Sequence, residues 1–247
     1  MKEYFVTSDV HSYYSILKKE LDKDGFDSDN PNHFLIICGD CFDRGDESKE
    51  LLKFLKNLKN RFIYIRGNHE DLLEHCYIEL LSNRGNINLA HIQNGTLKTI
   101  SNITEISIMC LLEGGYENVE LKERLEPLLE FINKSVDYYE IGDNIFVHGW
   151  IPNIHKYEDL KKCTKEDWDR ARWENGMLHW YENHKLENKT IFCGHWNSSY
   201  GNFYYHQEGS GQFSEDANYK PFIDKGIVAL DACTTYSKQI NIYKFQN

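Results

Sequence analysis

The chain has 247 residues, of which 40% are hydrophobic and 27% charged, as in a soluble globular protein long enough to bury a substantial core. Its formal net charge of −11 argues against a surface that coats long nucleic acids, because phosphate backbones are bound by dense Lys and Arg. The same charge would repel a phosphorylated substrate unless bound cations reversed the sign locally.

The start of the sequence and its cysteines predict a cytoplasmic protein. Residues 1–4 lead directly into a strand-like run without an apolar signal segment, and no apolar stretch approaches the ~20 residues of a membrane span. The seven cysteines are odd in number and scattered, which favours reduced thiols. Cys38 and Cys41 form a Cys-x-x-Cys pair, but no second pair completes a zinc site. We therefore interpret Cys38 as the end of a buried strand and Cys41 as part of the following loop.

The first third of the sequence alternates between strand-like and helix-like patterns. Apolar runs predict strands at 4–8, 34–38 and 62–65, and helical periodicity predicts helices at 12–21 and 51–58. This β-α-β-α-β order implies parallel strands joined by right-handed crossovers. Ligands of such sheets collect at the carboxyl ends of the strands, so we expect functional residues there.

The rest of the chain is predicted to be helical first and rich in strands later. Residues 71–134 are mostly helical, and we interpret them as a helical insertion or cap. Residues 197–224 form a long irregular segment rich in Gly, Tyr, Phe and Asn, which we expect to wall the site. No linker or repeat interrupts the sequence, so we expect a single domain over 1–247. Further strands are predicted at 136–141, 145–147, 190–193, 227–230 and 240–245.

Five short polar clusters, each directly after an apolar run, carry the chemistry of this chain. They supply carboxylates, imidazoles and a carboxamide, the mixture that holds a pair of divalent metals, with arginine beside them for an anion. The first three follow strands of the predicted parallel sheet, and we expect all five to gather at one sheet edge. The clusters lie at 9–11, 39–45, 66–70, 148–149 and 194–195.

The second and third clusters carry a resemblance to a known family. Residues 39–45 are Gly-Asp-Cys-Phe-Asp-Arg-Gly and residues 66–70 are Arg-Gly-Asn-His-Glu. This combination resembles the calcineurin-like metallophosphoesterases, most closely the phosphoprotein-phosphatase branch. That branch includes bacterial and phage serine/threonine phosphatases and the symmetrical diadenosine-tetraphosphate hydrolases. Residues 94–99 resemble an Asn-Gly-Gly-x-x-Thr element of the bacterial and phage group, and Trp168-Asp169-Arg170 resembles its Trp-x-Arg.

The resemblance implies a fold and a set of metal ligands. The fold is an α/β, four-layer α/β/β/α sandwich with the helical insertion as a cap. The mixed oxygen and imidazole ligands suit Mn²⁺ as the first choice, with Fe, Zn²⁺ or Ni²⁺ as alternatives. The ligands implied are Asp9 and His11 on one ion, Asp40 bridging both ions, and Asn68, His148 and His195 on the other.

The same resemblance implies direct hydrolysis by a hydroxide that bridges two metals about 3.5–4 Å apart, without a phosphoenzyme. Arg44 is the first candidate to clamp the phosphate, because a guanidinium fork matches phosphate bidentately. Arg170 is the second candidate, with Arg172 close enough in sequence to compete. His69 is the expected general acid, and Asp43 would fix its tautomer and keep it protonated.

Other polar residues are given structural interpretations. Asp231 aligns with a family aspartate near the site, and we expect it either to have a structural role or to support the metal ligands without binding an ion itself. His179, His184 and His206 are interpreted as surface or packing residues. Four aromatic residues of 197–224 could stack on a base, pack against an aromatic phosphopeptide or pack on one another, and packing is favoured. They are Tyr200, Phe203, Tyr204 and Tyr205.

Three functions stay open on the sequence alone. The leading hypothesis is a serine/threonine phosphoprotein phosphatase. The alternative is a hydrolase of dinucleoside polyphosphates or nucleotides, since the same metal site serves both reactions. A catalytically silent metal-binding scaffold is disfavoured, because it would not need an acid and a phosphate clamp. The expected partner is thus a phosphorylated protein or a small phosphoester, and neither a membrane nor a long nucleic acid is expected.

Overall fold

The computed structural model describes residues 1–82, 87–154, 156–184 and 186–247, and in these residues two β-sheets face each other. The first sheet contains β1 (Glu3–Thr7), β2 (His33–Cys38), β3 (Phe62–Ile65) and β9 (Tyr243–Gln246), in the order β3-β2-β1-β9. The second contains β4 (Tyr139–Ile141), β5 (Asn144–Phe146), β6 (Thr190–Cys193), β7 (Phe222–Asp224) and β8 (Ile227–Ala229), in the order β4-β5-β6-β8-β7.

Three strands of the first sheet are parallel, which confirms the prediction from the β-α-β-α-β pattern. Phe5 of β1 lies opposite Leu35 of β2, and Ile37 of β2 lies opposite Tyr64 of β3. The last strand, β9, joins the sheet antiparallel to β1. The carboxyl ends of β1, β2 and β3 therefore share one edge of this sheet.

Alternate side chains of β1 point to opposite faces of the first sheet and divide the core into layers. Val6 packs between the sheets, in a buried cluster that contains Phe146, Phe192 and Val228 of the second sheet. Phe5 points the other way, into a cluster formed with the outer helices. A third cluster covers the outer face of the second sheet. These layers give the α/β/β/α arrangement that the resemblance implies.

The helices supply the outer layers, and among the described residues none is both long and apolar enough to cross a membrane. In the second helix, Leu51, Leu55 and Leu58 are buried at helical spacing. The helices before β4 are α1 (Tyr14–Lys23), α2 (Ser48–Leu58), α3 (Asn68–Ser82), α4 (Leu89–Gln93), α5 (Thr96–Thr104), α6 (Ile108–Glu113) and α7 (Asn118–Ile132). Those after β5 are α8 (Lys165–Ala171), α9 (Gly176–Tyr181), α10 (Ser198–Tyr204) and α11 (Thr234–Ser237).

The helical segment predicted at 71–134 shares its core with the first sheet. Leu97 of α5 and Leu128 of α7 lie in the same buried cluster as Phe5 of β1. Residues 83–86 of this segment lie outside the described part of the chain. The described helices of the segment therefore extend the outer layer of the first sheet.

The irregular segment predicted at 197–224 contains two regular elements, helix α10 near its start and strand β7 at its end. The prediction was wrong for these residues because α10 buries small polar side chains, including Ser198 and Ser199, which leave no apolar helical period in the sequence. The intervening loop is held to α10 by Asn202. Its Nδ2 donates to the carbonyl oxygen of Asn218 at 3.0 Å.

Candidate metal centre

The five polar clusters meet where strand ends of both sheets come together. Asp9, Asp40 and Asn68 follow β1, β2 and β3 of the first sheet, whereas His148 and His195 follow β5 and β6 of the second. The expectation that all five share one sheet edge was therefore wrong for the last two. The second half of the chain forms a sheet of its own, and its parallel strands β5 and β6 end beside those of the first sheet.

Asp40 lies at the middle of this assembly. Its Oδ2 is 3.7 Å from Nε2 of His11, and its Oδ1 is 3.3 Å from Nε2 of His148. The backbone N–H of His69 donates to Oδ1 at 3.0 Å and fixes the carboxylate. Nitrogen and oxygen atoms of His11, Asp40 and His69 lie within 4.8 Å of one another, and so do those of Asp40, His148 and His195. Asp40 thus belongs to both groups, as a carboxylate that bridges two ions must. The first group contains His69 where the sequence predicts Asp9, whose Oδ1 lies 4.0 Å from Nε2 of His11.

Hydrogen bonds to backbone carbonyls fix which ring nitrogen of each histidine faces the centre. In each ring the bonded nitrogen donates its proton, so the other nitrogen keeps a lone pair for a metal. Neutral imidazoles around buried carboxylates and the Asn68 amide oxygen form a donor set that fits divalent transition ions. The bonds run from His11 Nδ1 to Phe42 O (2.9 Å), from His148 Nδ1 to Cys38 O (2.8 Å) and from His195 Nε2 to Trp173 O (3.1 Å).

The charges at the centre are arranged as a bound cation would require. Asp9 is buried, and its Oδ2 accepts from the backbone N–H of His195 at 3.0 Å. Burial raises the pKa of Asp9 well above its usual range, and the carboxylates of Asp231 and Asp40 raise it further. Burial also holds the pKa of His11 well below its usual range. A divalent cation would relieve both effects, because it favours ionised carboxylates and neutral imidazoles.

The turn after β8 supports the loop that carries Asp9. Asp231 is buried, and its Oδ1 accepts from the backbone N–H of Cys233 at 2.7 Å. Burial raises the pKa of Asp231 to about 6. The Thr234 hydroxyl donates to the carbonyl oxygen of Asp9 at 3.0 Å. These contacts agree with the structural role that the sequence predicts for Asp231.

Several residues of the centre have a left-handed backbone conformation, which residues other than glycine seldom adopt. Such conformations persist only where the surrounding structure enforces them, and they concentrate at functional sites. Here they occur in the turns that follow β1, β2 and β6, where they direct the side chains inward. The φ angles are 51° for Asp9, 49° for His11, 53° for Asp40, 72° for Asp43, 61° for Arg44 and 66° for His195.

His69 is held between a carboxylate and a guanidinium at the edge of the centre. Its Nδ1 donates to Oδ2 of Asp43 at 2.8 Å, and Arg44 Nη2 donates to its Nε2 at 3.2 Å. Burial of the ring lowers its pKa, but the negative charge of Asp40 and the hydrogen bond to Asp43 outweigh burial and raise the pKa of His69 above its usual value. The structure thus brings together the three residues predicted as acid, orienting carboxylate and clamp.

The sequence did not assign a role to two threonines that hold Asp43. The Thr96 hydroxyl donates to Oδ2 of Asp43 at 2.8 Å, and the backbone N–H of Asp43 donates to the Thr99 hydroxyl at 2.9 Å. All three residues are fully buried. The signal for these contacts was present at 94–99, whose resemblance to an Asn-Gly-Gly-x-x-Thr element was noted only as a family marker.

The same element supports Arg44. Lys98 Nζ donates to the carbonyl oxygen of Arg44 at 3.0 Å. Gly95 has a φ of 80°, and a Cβ at this position would collide with the backbone nitrogen of Arg44. The residues at the start of helix α5 therefore support the turn that the second cluster forms.

Glu70 is a second residue whose role the sequence left unassigned. Its side chain is fully buried and accepts from the backbone N–H groups of Asp40 and Cys41, each at 3.0 Å. It also accepts from the N–H of Gly67 at 2.8 Å. One carboxylate thus ties the turn after β2 to the turn after β3. Its position directly after His69 in the third cluster was the available signal.

Neither Arg170, proposed from the Trp-x-Arg similarity, nor Arg172, proposed because it lies close in sequence, is brought to the centre. Arg170 is 75% exposed and donates to Oδ1 of Asp167 at 2.8 Å. Arg172 is buried and donates to Oδ2 of Asp71 at 2.8 Å. The prediction for Arg170 is corrected on this ground: α8 turns Ala171 towards the core, which leaves Arg170 facing solvent. Arg44 is the arginine that the described structure places against His69.

A cavity of about 660 Å³ opens beside Arg44. Lys98 adds a second positive charge to its lining, and Phe213 and Tyr236 form aromatic walls whose ring centroids are 6.0 Å apart. Phe213 belongs to the segment 197–224, which the sequence predicted to wall the site. The size lies within the range of small-molecule sites.

Other aromatic residues of that segment pack on one another, as the sequence favoured. Tyr200 lies 4.6 Å from Tyr204, and Tyr205 stacks on Tyr181 with ring centroids 4.5 Å apart. Trp173 is exposed and lies edge-on to His195 at 5.8 Å. These rings are not among the residues that line the cavity at Arg44.

Comparisons with known proteins identify the class of this chain. Residues 4–228 match the model of the Metallophos family, the calcineurin-like phosphoesterases, and the chain belongs to this family. It is thus a metallophosphoesterase, an enzyme that hydrolyses phosphoester bonds. The resemblance drawn from the motifs, the fold class and the assignment as an enzyme are confirmed.

Its curated relatives carry one description. A symmetrical bis(5'-nucleosyl)-tetraphosphatase of Buchnera aphidicola subsp. Schizaphis graminum is 33% identical over 242 residues, covering 81% of this chain and 85% of the relative. One of the same description from Buchnera aphidicola subsp. Acyrthosiphon pisum (strain Tuc7) is 37% identical over 70 residues, so the chain spans 24% of that relative's length.

Solved structures show the same fold in proteins with other names. A cold-active protein-tyrosine phosphatase of Shewanella SP. has a TM-score of 0.54 and 17% identity, over 100% of this chain and 76% of that chain. A protein serine/threonine phosphatase from Saccharomyces cerevisiae has a TM-score of 0.54 and 16% identity, over 100% and 80%. At this identity the likeness establishes the fold alone.

Proposed function

We propose that this enzyme is a binuclear metal-dependent phosphohydrolase whose preferred substrate is a dinucleoside polyphosphate. The observation that carries the substrate class is the cavity beside Arg44, which joins two cations to two aromatic walls. This order reverses the leading hypothesis from the sequence, which was a serine/threonine phosphoprotein phosphatase. A relative that aligns over most of both chains is a symmetrical tetraphosphatase, which supports the reversal.

The donor set around Asp40 supports two divalent ions, with Mn²⁺ as the first choice. When bound, such ions supply a water of lowered pKa and positive charge against the phosphate. They would also reverse the local sign of a chain with a net charge of −11. The residues that would hold them are Asp9 and His11 for one ion, Asp40 for both, and Asn68, His148 and His195 for the other.

His69 and Arg44 would share the work on the phosphate. A phosphate oxygen competes for Arg44 because guanidinium–phosphate bonds are charge-assisted and bidentate. Its capture would release Nε2 of His69, which now accepts from Arg44 at 3.2 Å. The freed nitrogen can then take up a proton from solvent, which the raised pKa of His69 favours, and pass it to the leaving oxygen, while Asp43 holds the ring through Nδ1 at 2.8 Å.

The cavity supplies what a nucleotide needs beyond the scissile phosphate. Phe213 and Tyr236 offer faces on which a base can stack, a contact worth about 1–3 kcal/mol per base in nucleic-acid sites. Lys98 and Arg44 offer charge to the additional phosphates of the chain. A phosphoserine side chain would use neither the aromatic walls nor the second cation.

A phosphoprotein phosphatase is the second candidate, and an exposed tryptophan favours it. Trp173 lies beside His195 and is 52% exposed, so an apolar side chain next to a phosphorylated residue could pack on it. The protein partner in this case would be a phosphorylated loop or tail. The seven free cysteines fit a reducing compartment, so we place either activity in the cytoplasm.

A substrate panel tests the proposal. With Mn²⁺ present, kcat/KM is compared for diadenosine tetraphosphate, mononucleotides and phosphopeptides carrying phosphoserine, phosphothreonine or phosphotyrosine. We expect diadenosine tetraphosphate to exceed every phosphopeptide by on the order of tenfold or more, a difference of about 1.4 kcal/mol. A phosphopeptide that leads by the same margin would reverse the assignment. No turnover of p-nitrophenyl phosphate with both metals bound would instead favour the scaffold.

A second experiment tests the cavity itself. Phe213→Ala and Tyr236→Ala are expected to raise KM for diadenosine tetraphosphate on the order of tenfold and to leave p-nitrophenyl phosphate turnover within about twofold. Tyr204→Ala is the matched control, because Tyr204 is an exposed aromatic residue outside the cavity lining. Equal effects of the three variants on KM would remove the cavity from the substrate site.

A further inference from the structure

A second group of metal-ligand atoms lies apart from the centre just described. Nitrogen or oxygen atoms of His179, Glu182 and His184 lie within 4.8 Å of one another in the described part of the chain. His179 is in helix α9, and the other two follow its end. His179 and His184, together with Glu174, also line a cavity of about 630 Å³, through which an ion can reach them. This group plays no part in the proposed phosphate chemistry.

The two imidazoles face each other at a distance that suits one ion. Nδ1 of His179 is 3.2 Å from Nδ1 of His184. Two nitrogens bound tetrahedrally to zinc at ~2.0–2.1 Å are separated by about 3.3 Å. The carboxylate of Glu182 lies 4.0 Å from Nδ1 of His184, and its side chain is half exposed, so a rotation can bring it within range.

A carboxylate outside this group sets the tautomer of His179. Nε2 of His179 donates to Oε2 of Glu174 at 2.9 Å. The proton is thus on Nε2, and the lone pair of Nδ1 accepts from the Nδ1–H of His184 at 3.2 Å. An ion bound between the two nitrogens would replace this hydrogen bond, with the proton of His184 moving to its own Nε2. Carboxylate–histidine–metal chains of this kind are a recurrent feature of zinc sites, because the carboxylate orients the ring and raises its basicity.

The backbone already holds both histidines in place. The N–H of His184 donates to the carbonyl of His179 at 2.9 Å, and the indole of buried Trp150 donates to the carbonyl of His184 at 2.9 Å. At the other end, Asn175 caps α9 by accepting from the N–H groups of Met177 and Leu178. The ligand backbone would therefore need little rearrangement on binding.

We propose that His179, His184 and Glu182 form a zinc site of this protein, with Glu174 positioning His179 and water completing the coordination. Two imidazoles and one carboxylate are ligands that Zn²⁺ accepts readily, whereas Mg²⁺ and Ca²⁺ prefer oxygen alone. By binding both histidines, the ion would cross-link the segment from Glu174 to His184. Trp173, whose carbonyl accepts from His195 at 3.1 Å, directly precedes that segment.

Metal stoichiometry tests the site independently of catalysis. Wild-type protein, His184→Gln and His206→Ala are equilibrated with Mn²⁺ and a low concentration of Zn²⁺, freed of unbound metal, and analysed for total metal per chain. His206 is the matched control, because it is a partly exposed histidine paired with another carboxylate, that of Asp224 at 3.3 Å. We expect wild type and His206→Ala to hold one ion more per chain than His184→Gln.

A second measurement follows the stability of the segment. Zn²⁺ is expected to raise the Tm of the wild type by roughly 2–4 °C more than that of His184→Gln, since the ion binds the folded site. Turnover of p-nitrophenyl phosphate by Mn²⁺-loaded His184→Gln should stay within about twofold of wild type. Equal total metal in all three proteins, or an equal zinc-induced Tm rise, would overturn the site. Loss of the catalytic ions would lower all three totals together and is thus distinguishable.

Discussion

The loops that follow strands of the first sheet and those that follow strands of the second contribute to the same centre. The two sets of loops hold their candidate site residues by different contacts. On the first-sheet side, Glu70 ties two turns together through three backbone N–H groups, and Thr96 and Thr99 hold Asp43 from helix α5. On the second-sheet side, the rings of His148 and His195 each donate to one backbone carbonyl, and further contacts of the two residues run to Asn68 and Asp9 of the first-sheet side. We call the first-sheet side, whose turns are linked to one another by these hydrogen bonds, the braced side. The second-sheet side contributes separate candidate ligands.

The two sides of the centre also differ in the proposed catalytic groups that they hold. His69 and Arg44, the proposed acid and clamp, both lie on the braced side, where Asp43 bonds to His69 and Arg44 contacts the same ring. Positions that must hold a proton or a phosphate within a fraction of an ångström gain most from such bracing. We therefore expect substitutions on the first-sheet side to affect turnover more than substitutions near the second sheet.

The largest effect is expected at the braced core. His69→Ala should lower kcat by on the order of 10²–10⁴-fold, because it removes the group proposed to protonate the leaving oxygen. Asp40→Asn should lower kcat on the order of 10²-fold or more, because the proposed bridging ligand loses its charge. Both are measured with phenyl phosphate and Mn²⁺, and circular dichroism checks the fold.

Leaving-group dependence sharpens this test. For His69→Ala the loss should be smaller with p-nitrophenyl phosphate than with phenyl phosphate, since nitrophenolate leaves without needing a proton. Asp40→Asn should lose activity about equally with both. Wild-type rates in either variant, or the same profile for both, would contradict the roles given to these residues.

The second effect in size concerns the clamp. Arg44→Ala is expected to lower kcat/KM on the order of 10²-fold, because a charge-assisted bidentate contact to the transferred phosphate is lost. Arg44→Lys should recover only part of this loss, since an ammonium cannot form the fork. The measurement is kcat/KM for p-nitrophenyl phosphate. Full activity of Arg44→Ala would place the phosphate contact elsewhere.

How far the sequence predicted this molecule depends on how local each signal is. The turns after β1, β2 and β3 carry their ligands within a few residues of an apolar strand, so Asp9, Asp40 and Asn68 could be placed at strand ends from the pattern alone. Glu70 and Thr96 were visible within motifs but had no assigned role. Their partners are backbone groups and a carboxylate from distant turns, and no sequence spacing reveals such contacts.

The failures share a physical cause as well. Arg170 sits three residues from Asp167 on helix α8, and the direction of its side chain depends on which helix face packs inward. The sequence predicted the last two clusters on the same sheet as the first three, although they follow strands of a second sheet. Helix α10 was missed because its buried face is small and polar. Side-chain direction and sheet partnership are tertiary properties.

A smaller effect is expected from the bracing itself. Thr96→Val keeps the shape of the side chain but removes the hydroxyl that donates to Asp43 at 2.8 Å. We expect kcat with phenyl phosphate to fall roughly tenfold, as for other residues that orient a functional group, with KM little changed. Thr96→Ser should restore most of the rate. An unchanged kcat in Thr96→Val, or a Thr96→Ser variant as slow as Thr96→Val, would show that the Thr96 hydroxyl does not position Asp43.

The smallest effect is expected at Arg170, near the second sheet. Its side chain is 75% exposed and its pair with Asp167 is screened by water, so Arg170→Ala should change kcat/KM less than twofold and leave Tm unchanged within error. Arg172→Ala is the matched contrast, because that guanidinium is buried and pairs with Asp71, Asp137 and Asp169, so its loss breaks three ion pairs at once. It should lower Tm clearly while the remaining folded enzyme keeps its kcat. A large loss of kcat in Arg170→Ala would instead mean that α8 reorients when substrate binds, and the second-sheet side would then share the phosphate contact.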